Sequence, residues 1–200
     1  EFIVLGLFDS YAYKPEVFAN PWAENIIGHL ILNSTLWPGV GVLVAGYRLG
    51  YGWISLISAV FLILEYLFLK AGLYEHHWWR YYMTAIAIFV FLAIAKTWFP
   101  LMIEKRYGLT RFITLYFAAF VVIHLPIPLL LLYGKQFYLS DLAADMYRSS
   151  TIFIFLYQMA ETLAVMGFFL LDRWFWKAVP FVFSLGGQVY LADRNILVVG

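Results

Sequence analysis

The stretch YGWISLISAVFLILEYLFL, from Tyr51 to Leu69, carries a single charge, Glu65, in an otherwise uncharged run. As an α-helix rising ~1.5 Å per residue it matches the ~30 Å hydrocarbon thickness of a bilayer, and it is apolar around its circumference. Lipid, not water, is the solvent such a helix requires. Four further stretches read the same way: Asn25 to Tyr47, Tyr82 to Ile103, Phe112 to Tyr133 and Thr151 to Leu171. The first of these contains Pro38 with Gly39 and Gly41, a kink; Pro126 and Pro128 interrupt Phe112 to Tyr133, and Glu161 interrupts Thr151 to Leu171. Ala178 to Leu191 holds Pro180 and the Gly186-Gly187 pair and reads as a broken, re-entrant or interfacial segment, while Phe2 to Phe8 reads as the end of a further span. The expected fold is all-α, a polytopic transmembrane helical bundle of five spans with partial spans at either end, in one integral membrane domain over residues 1–200.

Composition supports this and narrows the partners. Of the 200 residues 64% are hydrophobic and 12% charged, against about a quarter charged in soluble domains, and mean hydropathy is +0.82. Thirteen Lys and Arg against twelve Asp and Glu leave a net charge of +1, so the basic field that a nucleic-acid backbone demands is missing. Membrane lipids, other membrane subunits or a second copy of the chain are the partners to expect. The lack of cysteine removes disulfides, thiolate metal sites, iron–sulfur clusters and thiol nucleophiles together. Trp22, Trp53, Trp78, Trp79, Trp98, Trp174 and Trp176 fall near span ends, where indoles sit at headgroup level; Trp37 is mid-span. Lys and Arg counted on alternate sides give five against seven, and the excess places the loop between the third and fourth spans in the cytoplasm.

Ionisable groups near mid-bilayer cost about 2.5–3.5 kcal/mol each on insertion scales, so those that are present mark candidate sites. His29 and Asn33 lie one helical turn apart on the first span, Glu65 on the second, His124 on the fourth, and Gln158 with Glu161 on the fifth. Converted to depth, Glu161 is near the centre, with His124, Asn33, Gln158 and Glu65 within roughly 6 Å on one side and His29 about 9 Å out. Such a set at similar depth is expected to line one interior cavity. Two carboxyls and two imidazoles there would make a proton relay. They would also make an N₂O₂ metal shell from His29, His124, Glu65 and Glu161, or a haem site with His29 and His124 as axial ligands. Neither metal nor haem is expected, because Glu-x-x-His and His-Glu-x-x-His spacings are missing, and no cofactor is predicted. The plain alternative is that these groups pin helices together, at ~0.6–2 kcal/mol per interhelical hydrogen bond.

The turn after Leu69 runs Glu75-His76-His77-Trp78-Trp79-Arg80-Tyr81-Tyr82. Trp, Tyr and Arg together read as a headgroup-level anchor, so His76, His77, Trp78, Trp79 and Arg80 are assigned to the interface or to lipid-headgroup recognition. A metal held by Glu75 with His76 or His77 is the other reading. Lys96, inside an apolar run, reads as a snorkelling residue, an acid's partner or a Schiff-base lysine. The two prolines after His124 free carbonyls near Phe120 to His124, and these need partners or a wet cavity.

Tyr13-Lys14-Pro15, Asn20-Pro21, Asn25 to Asn33, and above all Glu65 with Lys70-Ala71-Gly72-Leu73-Tyr74-Glu75-His76-His77-Trp78-Trp79, resemble a family of small multi-pass membrane proteins of spore-forming bacteria. The likeness covers about Tyr11 to Gln136 and rests mostly on aromatic and apolar positions. It implies a bacterial cytoplasmic-membrane location and names no catalytic residue. Three functions fit the whole reading: proton- or ion-linked transport of a small solute, or a subunit of such a system; a membrane-embedded enzyme acting on a lipid or isoprenoid; and a structural subunit of a larger membrane complex. The enzyme reading is weakened by the absence of Asp-x-x-x-Asp, Gly-x-Ser-x-Gly and His-Glu-x-x-His.

Overall fold

A computed structural model describes residues 2–103, 108–169 and 171–200. The order of elements is a π-helical turn Phe2–Leu7, β1 (Tyr11–Tyr13), α1 (Pro21–Gly46), α2 (Tyr51–Lys70), β2 (Tyr74–His76), α3 (Tyr81–Ile103), α4 (Gly108–His124), α5 (Pro126–Leu132), β3 (Gln136–Tyr138), α6 (Met146–Phe169), a 3₁₀ turn Trp174–Lys177, α7 (Val179–Asp193) and β4 (Leu197–Val199). Five helical segments are long and apolar enough to cross a membrane: α1, α2, α3, α4 with α5, and α6. The protein is a membrane-embedded helical bundle. Large apolar side chains such as Val42, Leu56 and Val122 face outward, as lipid-facing positions must.

Sequence and structure differ at three places for identifiable reasons. Asn20 and Asp145 cap α1 and α6, so both helices start before the uncharged runs do: Asn20 accepts from the Trp22 and Ala23 amides at 2.8 and 3.1 Å, and Asp145 from that of Arg148 at 3.0 Å. The segment expected to be broken is one continuous helix, α7, because Pro180 sits in its first turn, where no N–H is needed. In α1 the proline is absorbed by a widened π turn, Leu32–Leu36, just ahead of Trp37-Pro38.

The chain divides into two compact units, Ile3–Arg111 and Phe112–Gly200, the second also holding Phe2. In the first, α1, α2 and α3 close on Val44, Ile54, Ile88 and Leu92. Trp37 stacks on Phe61 at 4.8 Å between ring centres, and Gly41 lets the Phe91 ring come within 3.3 Å of where a Cβ would stand. The mid-span tryptophan is thus core, not anchor. In the second unit, Tyr138, Leu131 and Ile154 are buried along α5, β3 and α6.

One arrangement recurs in both units. A short strand precedes one helix, a second strand follows the next helix, and the two strands pair antiparallel: Tyr11 with His76 and Tyr13 with Tyr74 in the first unit, Gln136 with Val199 and Tyr138 with Leu197 in the second. The helix before the second strand ends on a left-handed residue, Gly72 or Asn195, in the same cap: Leu73 N–H reaches the Phe68 carbonyl at 3.0 Å, and Ile196 N–H the Leu191 carbonyl at 2.9 Å. The amide after the first strand bonds the residue after the cap, Lys14 to Leu73 at 2.9 Å and Leu139 to Ile196 at 2.7 Å. The strand's own amide is held by a side chain on the helix that follows, Tyr13 by Asn25 at 2.6 Å and Tyr138 by Ser150 at 3.0 Å. These counterparts are evenly spaced: Tyr11 and Gln136, Tyr13 and Tyr138, Asn20 and Asp145, and Asn25 and Ser150 are separated by the same number of residues. In this register Asn33 corresponds to Gln158 and Leu36 to Glu161; along the second helix and strand of each unit the offset is two residues shorter, as Gly72 with Asn195 and Leu73 with Ile196 show, and there Glu65 corresponds to Gln188 and His76 to Val199.

Candidate functional site

The strand clip of the first unit brings a histidine down onto a membrane carboxylate. Residues 74 and 76 share one face of β2, and from that face the His76 ring reaches the last turns of α2, where Nε2 lies 2.6 Å from Glu65 Oε1. Thr84, one turn into α3, donates to the same oxygen at 3.0 Å, and its hydroxyl accepts from the Trp79 indole at 2.7 Å. Tyr74 and Tyr81 stand edge-on to the imidazole, each 5.2 Å away. Side-chain exposure is 8% for Glu65 and 12% for His76. The other carboxylate oxygen, Oε2, is buried with no hydrogen-bond partner among the described residues. Such an acceptor costs about 1–3 kcal/mol unless something comes to it.

His76 thus contacts the carboxylate of a membrane helix, beyond the interfacial or headgroup role expected of it. Trp79 also turns inward through its indole, whereas Trp78 donates to the Phe8 carbonyl at 2.8 Å and remains partly exposed. His77 approaches the Asp9 carbonyl at 2.8 Å and its carboxylate at 3.3 Å, and Arg80 bonds the neighbouring Trp79 carbonyl. Glu75 pairs with Lys14, whose hydrogen bond and charge hold its carboxyl below the usual range.

Of the other expected residues, His29, Asn33, His124 and Gln158 find partners within their own unit, while Glu161 is buried on α6. His29 Nδ1 lies 2.9 Å from Asn33 Nδ2, which also donates to the His29 carbonyl. In the second unit His124 Nδ1 lies 2.6 Å from Gln158 Oε1, and Gln158 Nε2 donates to the Ile123 carbonyl at 3.1 Å. That carbonyl is one of those expected to want a partner beside the proline break, and Gln158 supplies it. At corresponding positions on α1 and α6, therefore, an amide side chain contacts an imidazole and a backbone carbonyl. Lys96 donates to the Leu49 carbonyl at 2.5 Å and lies 4.7 Å from the Tyr51 ring centre, closing the turn between α1 and α2. Among the described residues no group of three or more His, Asp or Glu side chains is gathered for a metal.

Three participants, Thr84, Glu24 and Tyr138, escaped sequence reading, and Trp79 was read only as a headgroup anchor. Thr84 and Trp79 look like ordinary interfacial residues until β2 fixes the turn. Glu24, buried in the first turn of α1, accepts from the amides of Glu16, Val17 and Phe18 and ties down the loop ahead of the helix. Tyr138, wholly buried in β3, accepts from Gln136 at 2.8 Å and donates to Gln188 at 3.3 Å. Burial pushes the Tyr138 phenol above its ordinary value, the two amide contacts lower it, and the nearby Glu161 charge raises it. The period-two pattern of Tyr74-Glu75-His76 was the one available signal, since it places positions 74 and 76 on a common face.

Comparison with protein-family models, with curated proteins and with solved structures returns no match.

Proposed function

We propose that this chain is a proton-exchanging membrane protein, serving proton- or ion-linked transport of a small solute alone or as a subunit, with Glu65 and His76 as its proton-holding pair. One observation carries the reading: a carboxylate in the last turns of a membrane helix has one oxygen bonded to an imidazole and to Thr84 and the other buried with no hydrogen-bond partner among the described residues. Histidine is the side chain type whose charge changes near neutral pH, and this one stands between the exposed clip and the helix interior. A proton received at the imidazole can pass to the carboxylate without either group crossing the membrane. The titratable groups around His76 are Glu65, Tyr74 on its own strand, Tyr11 opposite it on β1, and Tyr81 at the start of α3. Each would tune the exchange.

The test is proton uptake into proteoliposomes with a trapped pH dye, driven by a potassium diffusion potential. Glu65→Gln is expected to lower the protein-dependent rate at least tenfold while helicity is unchanged, and His76→Gln to lower it less. Uptake by folded Glu65→Gln at the rate of the unsubstituted chain would reject the pair as the proton carrier.

A further inference from the structure

We infer that the second unit holds a binding site for a monovalent cation, a small metal ion or a protonated primary amine, at Glu161. The inference concerns a separate place in the fold from Glu65 and stands without the proton reading. Its starting point is an imbalance between the units. In the first, the carboxylate on α2 meets an imidazole from β2. In the second the position corresponding to Glu65 is Gln188 and that corresponding to His76 is Val199, while the carboxylate has moved to α6, as Glu161, where the first unit has Leu36. The acid lies on the other helix and has no imidazole partner among the described residues.

Glu161 is 5% exposed and lies about three to four residues, or roughly 5 Å, past the middle of α6. No hydrogen bond or ion pair links it to any described residue, and an unpaired ionised carboxylate is not kept in a low-dielectric interior without compensation. Its charge is felt at two phenols, those of Tyr138 and Tyr157. Tyr157 lies one turn earlier on the same face of α6, and its hydroxyl is buried with no hydrogen-bond partner among the described residues. That hydroxyl rests on α7 at Gly187, where a Cβ would stand 2.4 Å from it, so glycine is what lets the phenol approach. The neighbouring Gln188 turns its carbonyl oxygen to the Tyr138 hydroxyl at 3.3 Å. Tyr138, Phe153 and Tyr157 form a continuous stack, with centres 5.1 and 6.0 Å apart, alongside.

The Glu161 carboxylate and the unpartnered Tyr157 hydroxyl, with the bonded Tyr138 and Gln188 oxygens on the same stack, supply hard oxygen donors and a single negative charge. A divalent ion would be undercompensated there, and an anion would be repelled. A sodium- or potassium-sized ion takes such oxygens, and a protonated amine takes them while its carbon end meets the rings.

The experiment is infrared difference spectroscopy on the full chain in liposomes of neutral lipid, perfused in turn with sodium chloride, potassium chloride and methylammonium chloride against N-methylglucamine chloride. A saturable change in carboxylate stretching with one of the small cations is expected, absent in Glu161→Gln and retained in Glu65→Gln. Tyr157→Phe, which keeps the ring stack, is expected to weaken that cation's apparent affinity about tenfold. Which perfusate saturates the signal separates metal ion from amine. A protonated carboxyl band that disappears in Glu161→Gln and ignores all three cations would overturn the inference, as would a cation response that survives in Glu161→Gln. Should Glu161→Gln not fold, unchanged affinity in Tyr157→Phe would overturn it equally. Retention of the signal in Glu65→Gln keeps its fate apart from that of the proton pair.

Discussion

Replacing His76 with alanine should destabilise the first unit more than neutralising the acid it contacts. In the native arrangement Glu65 Oε1 has two partners, His76 Nε2 at 2.6 Å and the Thr84 hydroxyl at 3.0 Å, and Oε2 has none. His76→Ala leaves a buried carboxylate with Thr84 alone. Hydrogen bonds to charged groups contribute about 1.5–3 kcal/mol, and breaking a fully buried pair costs about 3–5. Both side chains keep slight exposure at the helix end, which moves the expectation to about 2–3 kcal/mol. Glu65→Gln keeps an acceptor for Thr84 and His76 and should cost about 1 kcal/mol. Adding His76→Ala to Glu65→Gln should then cost much less than His76→Ala alone, giving a coupling of about 1.5 kcal/mol, well above the ~0.5 kcal/mol scatter of independent sites. Equilibrium unfolding in mixed micelles, followed by far-ultraviolet circular dichroism, reads all three variants. Additive costs would refute the pairing, and so would a larger loss in Glu65→Gln than in His76→Ala.

Three further outcomes follow from the clip and its turns. Because Lys14 lowers the Glu75 carboxyl below its ordinary 4.5, the pair helps hold β1 to β2 at any pH above that value, and its help fades as pH falls through the lower folded value; amide protection at Ala12 and Glu75, relative to the intrinsic exchange rate at each pH, should fall there, and Lys14→Met should remove the dependence. Gly28→Ala would put a methyl 2.6 Å from the Tyr13 ring, with the β1 backbone just behind it, and should cost about 1–3 kcal/mol in the same unfolding assay, whereas Gly39→Ala, which meets nothing, should cost little. Gly72 and Asn195 hold the same left-handed cap position, so Gly72→Val should lower the unfolding midpoint clearly, Gly72→Asn only slightly, and Asn195→Gly should leave it level or raised.

The spans were legible because each is a long apolar run, and hydropathy alone places Tyr51 to Lys70 and Tyr81 to Ile103 nearly to the residue. The strand clips were not, because three-residue strands of tyrosine and histidine beside tryptophans carry the same composition as an interfacial belt. Glu65 was identifiable from cost, since an acid in a span is rare. Its partner was not, because depth arithmetic treats each helix as a rod and gives no account of a chain that leaves the helix, turns at Gly72 and hands a side chain back. The recurrence of the clip was equally hidden. What the two units share is backbone geometry served by different residues, Asn25 against Ser150 and Gly72 against Asn195, and such substitutions erase the repeat from the sequence while keeping its hydrogen bonds.

That division between conserved geometry and exchanged side chains bears on how the protein works. The strand pair, the capped turn and the amide-holding side chain satisfy backbone groups just outside the apolar spans, where orphaned amides would otherwise destabilise the helix ends. They fix the helices whichever residues line the interior. The inner positions differ between the units: the acid lies on the helix before the second strand in one, paired with an imidazole, and on the helix after the first strand in the other, near two tyrosines. Two units with the same frame and differently placed acids cannot respond alike to a proton or a cation. Glu65 and Glu161 are inequivalent in helix and in partner, which suits the separate proton and cation roles proposed for them.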